Sequence, residues 1–125
     1  MKAVAILSGG LDSTVALADA LRKMEVVLAL TFDYGQKAAK REYAAARKIA
    51  RHYSVRHKTL SLPWLGRITS SALVDRKRKL PRHDMSKKSA KAVWVPNRNG
   101  AFIEIAAAHA EALSADRLIV GFNKE

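Results

Sequence analysis

A chain of 125 residues that is 49% hydrophobic is long enough to bury a core and too apolar for disorder. No apolar run approaches the roughly 20 residues of a transmembrane helix, and the absence of cysteine excludes disulfides and thiolate zinc sites within this sequence. A formal net charge of +12 favours polyanionic partners, nucleotides and RNA among them.

Lys2 to Leu7 is a continuous apolar run and reads as a buried strand. Ser8-Gly9-Gly10 interrupts that run too early for a secretory signal, so a cytoplasmic setting is expected. Leu11 to Lys23 has a helical pattern, with Leu11, Val15, Ala18 and Leu21 or Arg22 on one side. Glu25 to Phe32 is a second apolar run, best read as a central parallel strand. A helix is expected over Gln36 to Tyr53, with Tyr43, Ala46, Ile49, Ala50 and Tyr53 sharing a face. Arg56 to Leu62 is a third strand, stopped by Pro63. Asn99 to Ser114 forms a further helix that buries Phe102, Ile103, Ala106, Ala110 and Leu113, and Arg117 to Gly121 a fourth strand.

Strands alternating with amphipathic helices predict an α/β fold: a doubly wound parallel sheet with helices on both faces. The pattern reads as a single domain over residues 1–125, with a basic insertion at about 63–96. Arg76, Lys77, Arg78, Lys79, Arg82, Lys87, Lys88 and Lys91 crowd that insertion. With little aromatic interleaving it reads as a solvated loop, which leaves nucleic acid a less favoured partner than a small anion. His52, His57, His83 and His109 lack metal-ligand spacing and read as surface or packing residues.

Ligands of such sheets sit beyond the carboxyl ends of the strands, and three polar segments fall there. Ser8-Gly9-Gly10-Leu11-Asp12-Ser13 joins the first strand to the first helix. Its glycines let consecutive amides turn toward an anion, where the helix N-terminus also points, so strand, turn and helix make a phosphate cradle. The lysine of a Walker loop and the G-x-G-x-x-G of a dinucleotide site are both missing. The plainer alternative is that Asp12 or Ser13 caps the helix. After the second strand, Phe32-Asp33-Tyr34-Gly35-Gln36 reads either as a turn with Asp33 capping the next helix, or as a wall on which Tyr34 stacks a heterocycle. In Val95-Pro96-Asn97-Arg98-Asn99-Gly100 an asparagine can cap the next helix, and Arg98 is placed to aim a planar cation at phosphate or carboxylate.

Together with Val120-Gly121-Phe122-Asn123, these motifs resemble the 7-cyano-7-deazaguanine synthase (preQ0 synthase) family of the PP-loop ATP pyrophosphatase superfamily. The likeness runs from Val4 to Asn123 and is weakest between Trp64 and Lys91. It implies an adenine-nucleotide α-hydrolase-like fold and an ATP-dependent carbon–nitrogen ligase of queuosine and 7-deazapurine biosynthesis. Such an enzyme converts 7-carboxy-7-deazaguanine and ammonia to the nitrile through an activated carboxylate. ATP and Mg²⁺ are the implied cofactors; the family's structural zinc is not expected in a chain without cysteine. The resemblance assigns Ser8, Gly9, Gly10, Leu11, Asp12 and Ser13 to the nucleotide, with Arg98 and Asp12 as catalytic groups. Phe32, Asp33, Tyr34, Gln36, Asn97, Arg98, Asn99 and Gly121 are assigned to substrate.

Family members carry a further C-terminal portion, so this sequence is expected to correspond to their N-terminal part and to act with a second copy or a separate C-terminal chain. A tRNA-modifying adenylating enzyme and a non-catalytic ATP-binding module are the alternatives, and no membrane partner is expected.

Overall fold

The computed structural model describes residues 1–68 and 98–121. Among them are four strands, β1 (Lys2–Ile6), β2 (Glu25–Asp33), β3 (His57–Ser61) and β4 (Arg117–Ile119). The helices are α1 (Leu11–Leu21), α2 (Ala39–His52) and α3 (Arg98–Ala112), and residues 63–68 are also helical. The expected boundaries hold to within three residues. The insertion is helical where it begins, and its remaining residues, 69–97, lie outside the described ones.

All three strand pairs are parallel, and the order is β3-β2-β1-β4. The chain therefore winds outward from β1 through β2 to β3 and then places β4 on β1's other side. The reversal lies between β1 and β4, the position at which sheets of this kind place their ligands. One face of the sheet packs Ala3, Ala5 and Leu7 against Leu17 and Ala20 of α1 and Ala46 and Ala50 of α2. On the other, Val4, Ile6, Leu28, Leu30 and Phe32 meet Phe102, Ala106 and Ala110 of α3. Helices cover both faces, as the βαβ pattern requires. Leu7, Leu17 and Leu30 are fully buried, each contributing roughly 1.5–3 kcal/mol of transfer free energy.

Two features modify the regular pattern. The β1–β2 register shifts between Ala3 and Val4, which pair with Val26 and Leu28. Val27 is the extra residue, and it packs with Leu28 on the α3 side. Helices α2 and α3 both end on a serine in the left-handed region, Ser54 at φ 56° and Ser114 at φ 58°. Val55 N donates to Ala50 O at 2.8 Å and Ala115 N to Ala110 O at 2.7 Å, closing the same cap twice.

The expected face of α1 is corrected. Leu11 and Val15 are 78% and 57% exposed, and Ser13, Leu17 and Ala20 face the sheet instead. The preceding loop causes this: Ser8 N donates to Ser13 Oγ, which fixes the helix rotation with Ser13 inward. Ile103, expected on a buried side, is 37% exposed, and so are Tyr43 and Tyr53 at the edges of the face they share on α2. The long helix expected from Gln36 begins at Ala39, because Asp33 and Gln36 hold residues 33–36 in a turn.

Candidate active site

The loop after β1 is held by its own hydroxyls. Ser13 Oγ accepts from Ser8 N at 3.1 Å and donates to Gly10 O at 3.3 Å, while Gly10 N donates to Ser8 Oγ at 3.3 Å. Thr14 adds its hydroxyl, 2.7 Å, and its amide, 3.1 Å, to the same Gly10 carbonyl. The carbonyl that would repel an anion is thus turned into the helix and saturated. Gly10 is the N-cap, without a side-chain cap, so the plainer alternative that Asp12 or Ser13 caps the helix does not hold. The amides of Leu11, Asp12 and Ser13 have no acceptor among the described residues and carry the positive end of the helix dipole.

Two elements clamp this loop. Gly9 has φ +88°, and a Cβ there would stand 2.7 Å from Glu42 O and 3.0 Å from Ala45 Cβ, so α2 lies directly on it. From the other side, a Cβ on Gly121 would meet Asp12 O at 2.5 Å and Ser13 Cα at 2.8 Å. The end of β4 rests on the first turn of α1, backbone against backbone.

The turn after β2 forms the opposite wall. Gly35, at φ +94°, donates its N–H to Asp33 Oδ1 at 3.0 Å. Asp33 therefore closes its own turn and does not cap α2, whose N-cap is Ala38. Gln36 accepts from Tyr34 N at 3.0 Å and donates to Phe32 O at 3.2 Å and Glu42 Oε1 at 2.8 Å. Its side chain braces the turn from within. A Cβ on Gly66 would overlap the Tyr34 carbonyl, so the helical residues 63–68 pack on the back of that wall.

Between the walls lies a cavity of about 330 Å³. Its floor is aromatic: Phe32 and Phe102 stack with centroids 4.3 Å apart and planes 2° from parallel, and Tyr34 is tilted against Phe102 at 5.7 Å. The Arg98 guanidinium sits 4.7 Å from the Tyr34 ring centroid. Arg98 Nε is buried and has no hydrogen-bond partner among the described residues, a costly state unless a ligand supplies an acceptor. Burial raises the Tyr34 pKa; the Arg98 charge partly offsets this and Glu42 adds to it, so the phenol stays neutral at physiological pH.

Of the residues singled out from sequence, Ser8, Ser13, Phe32, Tyr34, Gln36, Arg98, Asn99 and Gly121 line this cavity. Gly9, Gly10, Leu11 and Asp12 belong to the adjoining cradle, Asp33 is held in its turn, and Asn97 lies outside the described residues. Glu42 and Phe102 line the cavity and were not anticipated as site residues. Phe102 was read as core, and an acidic residue in a helix's first turn gives no signal separable from ordinary helix-end charge.

Free first-turn amides of α1 thus stand beside an aromatic cavity in which Arg98 Nε has no partner among the described residues. The model of the family described as "Queuosine biosynthesis protein QueC" matches residues 2–125. The chain belongs to the QueC family. Proteins named 7-cyano-7-deazaguanine synthase are similar along the whole chain. That of Pelotomaculum thermopropionicum is 53% identical over 100% of this chain and 60% of the relative. That of Desulforudis audaxviator is 48% identical over the same shares, and that of Methanosarcina mazei 43% identical over 100% and 59%. The chain thus spans about 60% of the length of the curated relatives it matches. A solved chain described as a "predicted subunit of tRNA methyltransferase" from Methanocaldococcus jannaschii has a TM-score of 0.47 and 20% identity, covering 63% of this chain and 39% of its own.

In this QueC-family chain His57 is one of the histidines that pack, in keeping with the reading of the four as surface or packing residues. His57 Nε2 lies 2.7 Å from the buried Thr31 hydroxyl, and its ring stacks on Tyr43 with centroids 5.9 Å apart. Burial, and then the Arg47 charge, lower its pKa below the usual 6.5. A neutral histidine preferred by the folded state stabilises it fully above the unfolded pKa. That contribution falls as pH drops below about 6.5 and is lost under the lowered folded value. Thermal unfolding should therefore show a Tm that declines from pH about 7.5 toward 5, more steeply in wild type than in His57→Gln. Parallel pH profiles would contradict the assignment.

Proposed function

We propose that this chain forms the nucleotide- and substrate-binding part of an ATP-dependent ligase that turns 7-carboxy-7-deazaguanine and ammonia into 7-cyano-7-deazaguanine. One observation carries the reading: first-turn amides of α1 without an acceptor among the described residues adjoin an aromatic-floored cavity in which the buried Arg98 Nε likewise has none among them. Kinship with proteins named for that product supports it.

A carboxylate resists attack by ammonia until one oxygen becomes part of a leaving group. In the proposed sequence the carboxylate oxygen attacks the α-phosphorus of ATP, the bond to the β-phosphate oxygen breaks, and pyrophosphate departs. Ammonia then adds to the activated carbon, AMP leaves with the bonding electron pair, and loss of a proton gives the amide. The amide oxygen repeats the displacement on a second ATP, and loss of AMP and the two amide protons leaves the nitrile.

The Leu11, Asp12 and Ser13 amides would hold the departing pyrophosphate, and Arg98 would offset charge developing at the reacting phosphoryl or carboxylate. The cavity formed by Phe32, Phe102 and Tyr34 suits a planar heterocycle. Mg²⁺ needs one or two carboxylates besides phosphate oxygens, and the exposed Asp12 beside the cradle fits that requirement. The ion would supply charge neutralisation on the phosphates.

Nucleotide products measured with Mg-ATP, ammonia and 7-carboxy-7-deazaguanine test the proposal. AMP and pyrophosphate should appear only when the carboxylate is present. A chain that binds neither Mg-ATP nor the carboxylate, or AMP formation that does not depend on the carboxylate, would sink it.

A further inference from the structure

We infer that Thr31 and His57 are positioning residues for the phosphate cradle, linked to it by a chain of hydrogen bonds that crosses the sheet. Thr31 is a hydroxyl inside the apolar run of β2 and is 3% exposed. Its Oγ1 lies 2.7 Å from Leu7 O and 2.7 Å from His57 Nε2. A carbonyl can only accept, so the single Thr31 hydroxyl proton goes to Leu7 O. The hydroxyl oxygen must then accept from His57, which places the proton of the neutral ring on Nε2.

The chain continues through the peptide between Leu7 and Ser8. Its carbonyl receives Thr31 while its N–H donates to Ser13 Oγ at 3.1 Å, and Ser13 Oγ donates onward to Gly10 O at 3.3 Å. Donors and acceptors run in one direction from β3 through β2 and β1 into α1, so each bond polarises the next. The Leu7–Ser8 peptide is where the strand stops and the cradle begins. Leu7 N is held by Leu30 O at 2.7 Å, so the approach to that peptide is fixed by the sheet and its tilt by Thr31. Neither residue touches the cavity. They act by setting the plane from which the loop amides depart, and for its effect on ligand the inference rests on the nucleotide-binding reading above.

Thr31→Val keeps the shape of the side chain and removes the hydroxyl, whereas Thr31→Ser keeps the hydroxyl. Two quantities separate positioning from packing: amide hydrogen exchange of residues 8–10 in the ligand-free protein, and Kd for Mg-ATP. Thr31→Val should speed loop exchange and weaken Mg-ATP binding by roughly tenfold, because a buried carbonyl loses its donor. Thr31→Ser should stay within about twofold of wild type in both. Where Thr31→Val fails to fold, His57→Phe, which keeps an aromatic ring beside Tyr43 but removes the donor, should speed loop exchange in the same direction by less. Loop exchange in Thr31→Val equal to wild type, or Thr31→Ser behaving like Thr31→Val, overturns the inference; with Thr31→Val unfolded, wild-type exchange in His57→Phe does so. A wild-type chain that binds no Mg-ATP overturns the nucleotide reading instead, and the exchange data then judge the hydrogen-bond chain alone.

Discussion

Gly9→Ala should destabilise the chain by at least about 2 kcal/mol and lower Tm by on the order of 10 °C, while its neighbour Gly10→Ala should cost less than about 1 kcal/mol. The two glycines are adjacent, yet their surroundings differ. Gly9 combines φ +88° with a would-be Cβ 2.7 Å from the Glu42 carbonyl, so a methyl is strained by its backbone and also drives against α2. Relief would require moving the helix backbone, which is not a flexible neighbour. Gly10 has φ −86° and ψ 174°, and its would-be Cβ meets only Ser8 Oγ at 3.5 Å. Side chains adopt that conformation readily, so the fold tolerates the change. The exposed methyl would instead stand beside the first amides of α1 and obstruct an approaching phosphate. Thermal unfolding and Mg-ATP titration of the pair should therefore separate: Gly9→Ala loses stability and binding together, Gly10→Ala loses mainly binding. Equal Tm values for the two variants would refute the close approach of α2 to the loop.

Arg98→Met should reduce AMP formation by about 100- to 1000-fold with little change in Tm, the range seen when one preorganised charge-stabilising donor is removed. The stem of methionine preserves packing on the Tyr34 ring, so the loss would report the guanidinium itself. Arg98→Lys should recover only part of the rate. An ammonium keeps the charge but not the planar face 4.7 Å from the Tyr34 centroid, nor the buried Nε–H that has no partner among the described residues. Initial rates with saturating Mg-ATP and varied carboxylate measure this directly. A wild-type rate in Arg98→Met would remove Arg98 from the chemistry.

The strand–loop–helix order around Ser8 to Ser13 was legible because two glycines, a hydroxyl cluster and an apolar strand are local signals. The parallel sheet followed from the alternation of apolar runs with amphipathic segments. What escaped was set by contacts distant in sequence. Leu11 and Val15 share a helical stripe with proper spacing, but periodicity does not say which stripe meets the sheet. The Ser8–Ser13 hydrogen bond decides that. Asp33 has the composition of a cap and closes its own turn instead, because Gly35 follows two residues later. Thr31 was visible as the lone hydroxyl in an apolar strand. Its link to His57 was not, since 26 residues separate them. Phe102 was correctly placed in the core, but its role as cavity floor depends on its stack with Phe32 across two elements. The cavity was therefore foreseeable in its residue types and not in its shape.

The contact of Gly121 with Asp12 has a consequence for biosynthesis. The cradle is buttressed by a residue that leaves the ribosome more than a hundred positions after it. Until β4 emerges, β1 carries fully buried-type residues such as Val4 and Ala5 on a strand paired only with β2, and its other edge is open. A nascent chain stalled before Arg117 would thus present a hydrophobic edge and an unsupported loop, a state prone to pairing with other chains. The loop should gain its support abruptly, when Arg117–Ile119 dock and Gly121 closes on the first turn of α1.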